Sequence, residues 1–328
     1  MERRNTMDKR ELGFRALLLG LAGMLVLLGL IWLSQQDLSA RQNEHRRKFG
    51  AVYMTLNNPF YEVIDEEIRL AVEEHGDVLL TRDPALSVER QREEIQELID
   101  DGVQVLFVNP VDWQRIGPAL EAARQAHIPV IAIDTSVQDE SDVASTVMSD
   151  NYLAGVQCAR HLLEHAAGGK VALLKHTQAR SSVDRIRGFK DTLSGHPEFR
   201  IVDEEECMGQ LEQAMPAMDR MLRRHPDIRI VMALNDPAAL GAIASLQHAG
   251  RLDDVLVYGV DGVPETKEMI ARGRMTATAG QSPRQIGRLA AEQAYRFLAG
   301  EPVQKEIRLP TRLWTSGNID ESNREGWD

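Results

Sequence analysis

Polar side chains recur where an apolar segment with strand character gives way to a segment with helix character. Six positions share this feature: Asn58, Asp134, Arg185, Asn235, Asp261 and Gln281. In an open α/β sheet the carboxyl ends of the strands face one crevice, so such side chains converge although they are far apart in sequence. Together they supply carboxylate acceptors, a guanidinium donor and amides that do both. This chemistry suits a small ligand that is rich in hydroxyl groups.

The elements that must position these side chains are visible from Phe49 onward. Short apolar segments rich in Val and Ile alternate with amphipathic segments, which predicts βαβ units on parallel sheets. No Pro/Gly-rich linker separates the two series of strands, so we expect two lobes joined by short strand crossings. The first series is FGAVYMT, DVLLT, VQVLFV and PVIAID, and the second is KVALLK, RIVDEEE, IRIVMALN, VLVYGVD and MTATAG.

Proline residues predict where three of the helices begin. Proline suits the first helical position, because the N–H that it lacks would have no partner there. The residue before each proline is then the predicted N-cap, namely Asn58, Asp236 and Ser282. This leaves Asn235 and Gln281 one residue outside their helices. Since no capping role explains them, we predict that these two point into the crevice.

The first 47 residues differ from the rest in composition. Residues 16–33 contain no charge and no strongly polar group, and they are long enough to span a bilayer. The absence of a clear A-x-A site favours a membrane anchor over a cleaved signal peptide, with cleavage after Ala40 left open. No cysteine lies just after the apolar segment, which excludes lipoprotein processing. The predicted organisation is a cytoplasmic segment (1–15), a transmembrane anchor or uncleaved signal (16–34), a linker (35–47) and a binding domain (48–328).

The charge of the chain restricts its partners. The formal net charge is −12, which argues against nucleic acid because phosphate binding needs a basic surface. Basic residues exceed acidic ones by two on each side of the apolar segment, so the positive-inside rule does not decide the orientation. A lone N-terminal span before a globular chain is the usual export arrangement. We therefore expect the binding domain outside the cytoplasm, in the periplasm or at the cell exterior.

A series of motifs resembles the periplasmic type-1 sugar-binding proteins, in an order most like that of the family's ribose binders. The resemblance runs from about Phe49 to the C-terminus and implies two doubly wound parallel-sheet lobes with a three-strand hinge. It places one lobe at about 48–148 and 282–310, and the other at about 149–281 and 311–322. The motifs are LNNPFY, NPVD, PVIAID, SDN, RIRGF, NDPAALGA, GVDGVPE and TAGQ.

The same resemblance implies a small neutral sugar, a pentose or a hexose, as the ligand, with no cofactor, metal or catalytic residue. The implied sugar contacts are Asn58, Phe60, Tyr61, Asp134, Thr135, Arg185, Asn235, Asp261 and Gln281. The family's ribose binders carry an arginine where this chain has Thr135, and an aromatic residue expected near Cys207 is missing. These departures predict a larger cleft with fewer donors, suited to a sugar other than ribose.

The resemblance further implies a partner in the membrane. In this family the closed form docks on the permease of an ABC-type importer, and the same fold also serves as a sensor that signals to a membrane histidine kinase or a chemoreceptor. Repressors share the fold but begin with a DNA-reading helix-turn-helix, whereas an apolar span precedes the domain here. We therefore expect an importer component, with the sensor as the alternative.

Two further patterns keep other functions open. His161, Glu164 and His165 match H-x-x-E-H, in which two imidazoles one helical turn apart bind zinc in some enzymes. Histidines near a helix C-terminus are common, however, so coincidence is the simpler interpretation. Cys158 and Cys207 could form a disulfide in an extracytoplasmic protein or remain two separate thiols.

Overall fold

A computed structural model describes residues 9–44 and 46–327 of the 328-residue chain. It forms two compact units, Met1–Arg47 and Lys48–Asp328. The predicted cytoplasmic segment 1–15 lies partly outside the described residues, because positions 1–8 are not among them.

The first unit contains the helix α1 (Lys9–Glu44). Its segment Gly13–Leu33 is long and apolar enough to cross a membrane, and the protein buries none of it. A signal sequence has the same properties, so length and composition do not separate an anchor from a signal. The helix also continues into the segment predicted as a linker, residues 35–47.

The second unit begins with alternating strands and helices, each strand bounded by a turn or cap. These elements are β1 (Lys48–Val52), α2 (Pro59–Glu74), β2 (Val78–Arg82), α3 (Val88–Asp100), β3 (Val105–Val108), α4 (Gly117–Gln125), β4 (Val130–Ile133) and β5 (Ser145–Ser149). The alternation then continues with α5 (Asn151–His165), β6 (Gly169–Lys175), α6 (Arg180–Leu193), β7 (Phe199–Glu206), α7 (Leu211–Arg224) and β8 (Ile228–Ala233). The last elements are α8 (Asp236–His248), a short 3-10 helix (Leu252–Asp254), β9 (Leu256–Asp261), α9 (Pro264–Ala271), β10 (Ala277–Gly280), α10 (Pro283–Leu298), β11 (Glu306–Leu309) and β12 (Arg312–Thr315).

The strands form two six-stranded sheets, one in each lobe. The sheet of the first lobe has the order β11-β5-β4-β3-β1-β2 and is parallel throughout. The sheet of the second lobe has the order β12-β10-β9-β8-β6-β7, and only β12 runs antiparallel in it. Helices cover both faces of each sheet, with one apolar core on each face. Burial on both faces explains why strands such as VLFV and VIAI are apolar throughout.

The chain passes between the lobes three times: from β5 to α5, from β10 to α10 and from β11 to β12. The predicted architecture of two parallel-sheet lobes with three crossings is therefore confirmed. Each of the nine predicted strands overlaps an observed strand. Three strands were not predicted: β5 consists largely of serine and threonine, while β11 and β12 are four-residue edge strands with little apolar character.

The helix caps agree with the prediction at Asn58, whose side chain accepts a hydrogen bond from the backbone N–H of Phe60 at 3.0 Å. Ser282 occupies the predicted N-cap position of α10 but makes no side-chain capping bond. The prediction for α8 is wrong. Its cap is Asn235, which accepts from the N–H of Ala238 at 3.0 Å, and not the residue that follows.

Asp236, the predicted cap of α8, is fully buried and joins three segments of the second lobe instead. Its carboxylate accepts hydrogen bonds from four groups, which are the backbone N–H groups of Gly262 and Val263 and the hydroxyls of Thr266 and Thr278. Four hydrogen-bond donors compensate the burial of a carboxylate far better than the backbone N–H groups at the start of one helix would. Asp236 therefore fixes the loop that follows β9.

Residues 319–327, which we call the strap, connect the second lobe with the first. The buried ammonium group of Lys267 in α9 donates to the carbonyl oxygens of Asn323 and Gly326, both at 2.6 Å. At the far end of the strap the Trp327 ring lies against Phe60 of the first lobe, with centroids 6.0 Å apart. The strap therefore ties α9 to the aromatic residue at the start of α2.

Replacing Lys267 with Met should release the strap. Two carbonyl oxygens of the strap would lose their donor, so we expect faster hydrogen–deuterium exchange in residues 319–327 and a melting temperature lower by roughly 2–4 °C. Exchange mass spectrometry of the full-length protein in detergent measures the first effect. The partly exposed Lys170, which pairs with Asp227, provides the control Lys170→Met. Unchanged exchange of the strap in Lys267→Met would contradict this role.

Candidate ligand-binding site

A narrow cavity lined mainly by polar side chains lies between the two lobes at the carboxyl ends of the strands. Eight of the nine predicted positions line it, and Thr135 does not. The eight are Asn58, Phe60, Tyr61, Asp134, Arg185, Asn235, Asp261 and Gln281.

The guanidinium of Arg185 lies between two carboxylates at the centre of the cavity. Its nitrogens are 3.9 Å from Asp134 Oδ1 of the first lobe and 3.7 Å from Asp261 Oδ1 of the second. Two shorter hydrogen bonds hold it within the second lobe, from Nε to Asn151 Oδ1 at 2.8 Å and from Nη1 to the carbonyl of Leu234 at 3.0 Å. The second lobe thus orients a buried cation towards a carboxylate of the first.

Two glycines place Arg185 at this depth. Gly155 of α5 and Gly188 of α6 let the two helices pack with their backbones in contact. A Cβ atom on Gly155 would overlap the carbonyl oxygen of Arg185, and one on Gly188 would overlap that of Tyr152. Any larger residue at either position would push α6, and the arginine with it, away from the cavity.

Burial controls the ionisation of both carboxylates. It raises the pKa of both Asp134 and Asp261, while the Arg185 guanidinium lowers both values. Asp134 Oδ1 and Asp261 Oδ2 are also buried without a hydrogen-bond partner among the described residues. A buried acceptor without a donor is costly, so both oxygens are suited to receive hydroxyl protons from a ligand.

Both carboxylates are attached to backbone in an unusual conformation. Asp134 has φ 65° and Asp261 has φ 138°, in the region that favours glycine. The N–H of Asp134 donates to the carbonyl of Val147, and the carbonyl of Asp261 accepts from the N–H of Gln281. Strained residues of this kind concentrate at functional sites, where the surrounding structure holds them.

Aromatic rings form the wall that the first lobe contributes. Phe60 and Tyr61 pack edge to face with centroids 5.5 Å apart, and Phe60 is almost fully buried. The Tyr61 hydroxyl donates to Asp134 Oδ2 at 3.3 Å, and burial raises the pKa of Tyr61 well above its usual value. The tyrosine therefore stays protonated and leaves the other oxygen of Asp134 to the cavity.

Amide side chains complete the lining. Gln281 Nε2 donates to Asp261 Oδ1 at 2.7 Å, and its Oε1 has no partner among the described residues. Asn235 Oδ1 caps α8 while its Nδ2 donates to the carbonyl of Gly209 at 3.1 Å. The expectation that Asn235 has no structural role is therefore wrong, although the residue does line the cavity.

Thr135 contributes to the contact between the lobes. Its Oγ1 accepts a hydrogen bond from the backbone N–H of Ser181 at 2.9 Å, and the side chain is fully buried. The sequence departure at this position thus introduces a direct hydrogen bond between the lobes and no cavity-lining group.

Two further contacts join the lobes at the rim of the cavity. Trp113 Nε1 of the first lobe donates to the carbonyl of Thr177 in the second at 3.2 Å. Asn57 Nδ2 donates to Gln210 Oε1 across the cleft at 2.8 Å. Together with the hydrogen bond of Thr135, these contacts show a closed arrangement of the two lobes.

The cavity includes residues that the sequence analysis did not select, among them His176 and Gln210. His176 directly follows β6, and Gln210 lies shortly after β7. Both therefore obey the rule that identified the first six positions, and applying that rule to every strand end would have found them. The other additional lining residues are Met54, Thr55, Ala179, Ser181, Met208, Gly209 and Leu234.

The histidine pair of the H-x-x-E-H motif lies outside this cavity. The rings of His161 and His165 stack 3.9 Å apart, and His161 Nδ1 lies 3.1 Å from the hydroxyl of Tyr258. Among the described residues no three His, Cys, Asp or Glu side chains are arranged to hold a metal ion. Cys158 and Cys207 are free thiols in separate apolar cores, and burial raises the pKa of each to about 12.

The amino-acid sequence matches the family described as periplasmic binding protein domain over residues 49–302. The chain belongs to this family. The resemblance noted from the motifs is thereby confirmed, and the family's type-1 fold agrees with the two parallel-sheet lobes described above.

Individual members of the periplasmic binding protein family show the extent of the similarity. The ribose import binding protein RbsB of Salmonella typhimurium is 33% identical over 264 residues, which cover 80% of this chain and 88% of that protein. RbsB of Bacillus subtilis is 32% identical over 275 residues, covering 83% and 88%. An ABC transporter solute-binding protein of Mycobacterium smegmatis, solved with bound glycerol, superimposes with a TM-score of 0.77 at 34% identity, covering 83% of this chain and 95% of that one.

His176 gives a prediction on pH. Burial lowers its pKa from 6.5 to about 4, so the unfolded chain binds more protons than the folded one between these values. Acidification from pH 6.5 to 4 should therefore destabilise the wild type relative to His176→Gln, by up to about 1.4 kcal/mol per pH unit. Thermal unfolding of both proteins at pH 7.0, 5.5 and 4.5 measures the difference. A difference in melting temperature that is constant with pH would show that the histidine titrates normally.

Proposed function

We propose that this chain is the extracytoplasmic solute-binding protein of an ABC-type importer and that it captures a small neutral sugar between its lobes. The observation that carries this proposal is the pair of buried, unpartnered oxygens on Asp134 and Asp261, on either side of Arg185. Hydroxyl groups of a ligand are the donors that would satisfy these oxygens without adding charge.

The composition of the cavity favours a sugar over other small ligands. Carboxylates accept from hydroxyl groups, Arg185 donates to ring and hydroxyl oxygens, and the rings of Phe60 and Tyr61 offer apolar faces to C–H groups. The relatives named as ribose import binding proteins, and the solved relative with bound glycerol, carry ligands with this chemistry.

Closure follows from the distribution of these groups over the lobes. Asp134 and Phe60 belong to the first lobe, whereas Arg185 and Asp261 belong to the second. A ligand that contacts all four residues binds the closed form more tightly than the open form. The difference between these two binding free energies is the amount by which the ligand stabilises the closed form. We propose that the moving lobes are about 48–148 with 282–310 and about 149–281 with 311–322, and that the importer recognises the closed form.

We propose binding and no catalysis. Family membership supports this, since the matching family is described as a periplasmic binding protein domain. The geometry of the cavity gives the same indication, because both carboxylates lie beside the same arginine and one oxygen of each accepts a hydrogen bond from a phenol or an amide.

We further propose that residues 16–34 anchor the domain to the outer face of the cytoplasmic membrane. The apolar segment Gly13–Leu33 within the long helix α1 supports this placement. A retained anchor also suits the alternative role of this fold, a sensor that reports sugar binding to a membrane kinase or a chemoreceptor.

Arg185→Ala should abolish the response to sugars. Removing the guanidinium leaves two buried carboxylates without their cation, so we expect affinity to fall at least 100-fold. Thermal unfolding of the full-length protein against a panel of pentoses, hexoses and polyols measures this, because a ligand at about 100 times its Kd stabilises by about 2.7 kcal/mol.

Arg187→Ala is the matched control, since this neighbouring arginine is half exposed and pairs with Asp184 away from the cavity. It should keep the full ligand-induced shift. An unchanged shift in Arg185→Ala would sink the assignment of the site, and no shift of the wild type with any sugar would sink the proposed function.

The anchor is tested by expressing the full chain with a C-terminal epitope and extracting the membranes with alkaline carbonate. A retained transmembrane helix keeps the protein in the pellet with its full-length mass. Replacing Leu25 with Arg places a charge near the centre of the span at a cost of about 3 kcal/mol and should reduce membrane retention. A shortened protein in the soluble extracytoplasmic fraction would show a cleaved signal peptide instead.

A further inference from the structure

His176 occupies a position in the cavity that the carried-over sugar contacts do not include. It follows β6 directly, is 1% exposed and lines the cavity together with Arg185 and Gln210. Its backbone N–H donates to Ser182 Oγ at 3.0 Å, and its carbonyl accepts from the N–H of Ala179 at 3.2 Å. The start of α6 therefore fixes the backbone from which the imidazole extends.

The imidazole of His176 presents an unused polar atom. Its Nε2 is buried and has no hydrogen-bond partner among the described residues. An unsatisfied buried nitrogen lowers the stability of the protein, whereas an apolar side chain of similar volume would not. The nitrogen is therefore costly in the empty cavity and favourable only when a ligand group meets it.

The other unpartnered atoms in the cavity show what His176 would add. Asp134 Oδ1, Asp261 Oδ2 and Gln281 Oε1 are all acceptor oxygens. Each hydroxyl that donates its one proton to such an oxygen still has lone pairs of its own, which need donors. Arg185 supplies donors on one side of the cavity. His176 supplies a nitrogen that can donate to a hydroxyl oxygen or accept its proton, depending on which ring nitrogen is protonated.

The charge of His176 agrees with this role. Burial lowers its pKa to about 4, so the ring is neutral at physiological pH and adds no charge to the cavity. A neutral imidazole can bind a hydroxyl group of an uncharged ligand without further desolvation of an ion.

We infer that His176 contacts one hydroxyl group of the bound sugar and makes the protein discriminate against sugars that lack this hydroxyl. This inference rests on the proposed function, since it names a further contact within the same cavity. His176 belongs to the second lobe and directly follows β6. No other predicted sugar contact directly follows that strand, so the inference adds a specificity-determining residue at a new place in the cavity.

The test uses isothermal titration of the full-length protein in detergent with D-ribose, D-allose, D-xylose and D-galactose, and with the monodeoxy analogues of whichever sugar binds most tightly. The wild type should bind each deoxy analogue roughly tenfold more weakly than the parent sugar. His176→Ala should bind the parent sugar roughly tenfold more weakly. It should bind the analogue that lacks the contacted hydroxyl as tightly as it binds the parent sugar, and it should still bind the other deoxy analogues more weakly.

His176→Asn guards against a loss of folding, because it retains a polar side chain of smaller volume; it should show the same selective loss. His196→Ala, at an exposed histidine, is the matched control and should leave every Kd unchanged. If His176→Ala weakened the binding of the parent sugar and of all deoxy analogues equally, or weakened none of them, the inference would be overturned. Sugar binding by the wild type would still uphold the proposed function in that case. Binding of none of these sugars by the wild type would overturn both.

Discussion

The need to balance a buried guanidinium determines how the two lobes are arranged. Arg185 is 4% exposed, and an arginine at that depth needs carboxylates and acceptors close by. Its hydrogen bonds to Asn151 and Leu234 stay within the second lobe, whereas the carboxylate of Asp134 comes from the first. The full set of partners therefore exists only when the lobes are closed. Closure of the lobes thus determines how well the charge of Arg185 is balanced.

Several structural features that lie outside the cavity serve this centre. The tight packing of α5 on α6 through Gly155 and Gly188 sets the depth of the arginine. Asp236 holds the loop after β9 with four hydrogen bonds, and that loop follows directly on Asp261. Behind the aromatic wall, the strap brings Trp327 against Phe60. The hydrogen bonds of Asp236 thus hold the backbone that directly follows the strained Asp261.

Closure depends on two kinds of contact. The hydrogen bonds at the rim, such as that between Asn57 and Gln210, join the lobes directly, and each contributes about 1 kcal/mol at a partly exposed position. The unpartnered atoms inside the cavity act in the opposite direction when no ligand is present, because closing buries them without donors. On the proposed function, a ligand rich in hydroxyl groups would remove this penalty. The difference between the empty and the filled cavity would then provide the free energy by which binding favours the closed form.

The sequence by itself determined the fold class and most of the cavity. Alternating apolar and amphipathic segments identify parallel strands, and residues that follow parallel strands must meet at one edge of the sheet. This rule accounts for Asn58, Asp134, Asn235, Asp261 and Gln281 in the cavity. Arg185, which was expected at a strand end by the same rule, lies instead within α6 and reaches the cavity from that helix. The tertiary structure decided what each side chain bonds to. Asn235 rather than Asp236 caps α8 because the latter finds four buried donors from distant segments, and Thr135 faces Ser181 because the lobes meet there. The strap likewise depends on contacts between residues far apart in the chain, which no local pattern encodes.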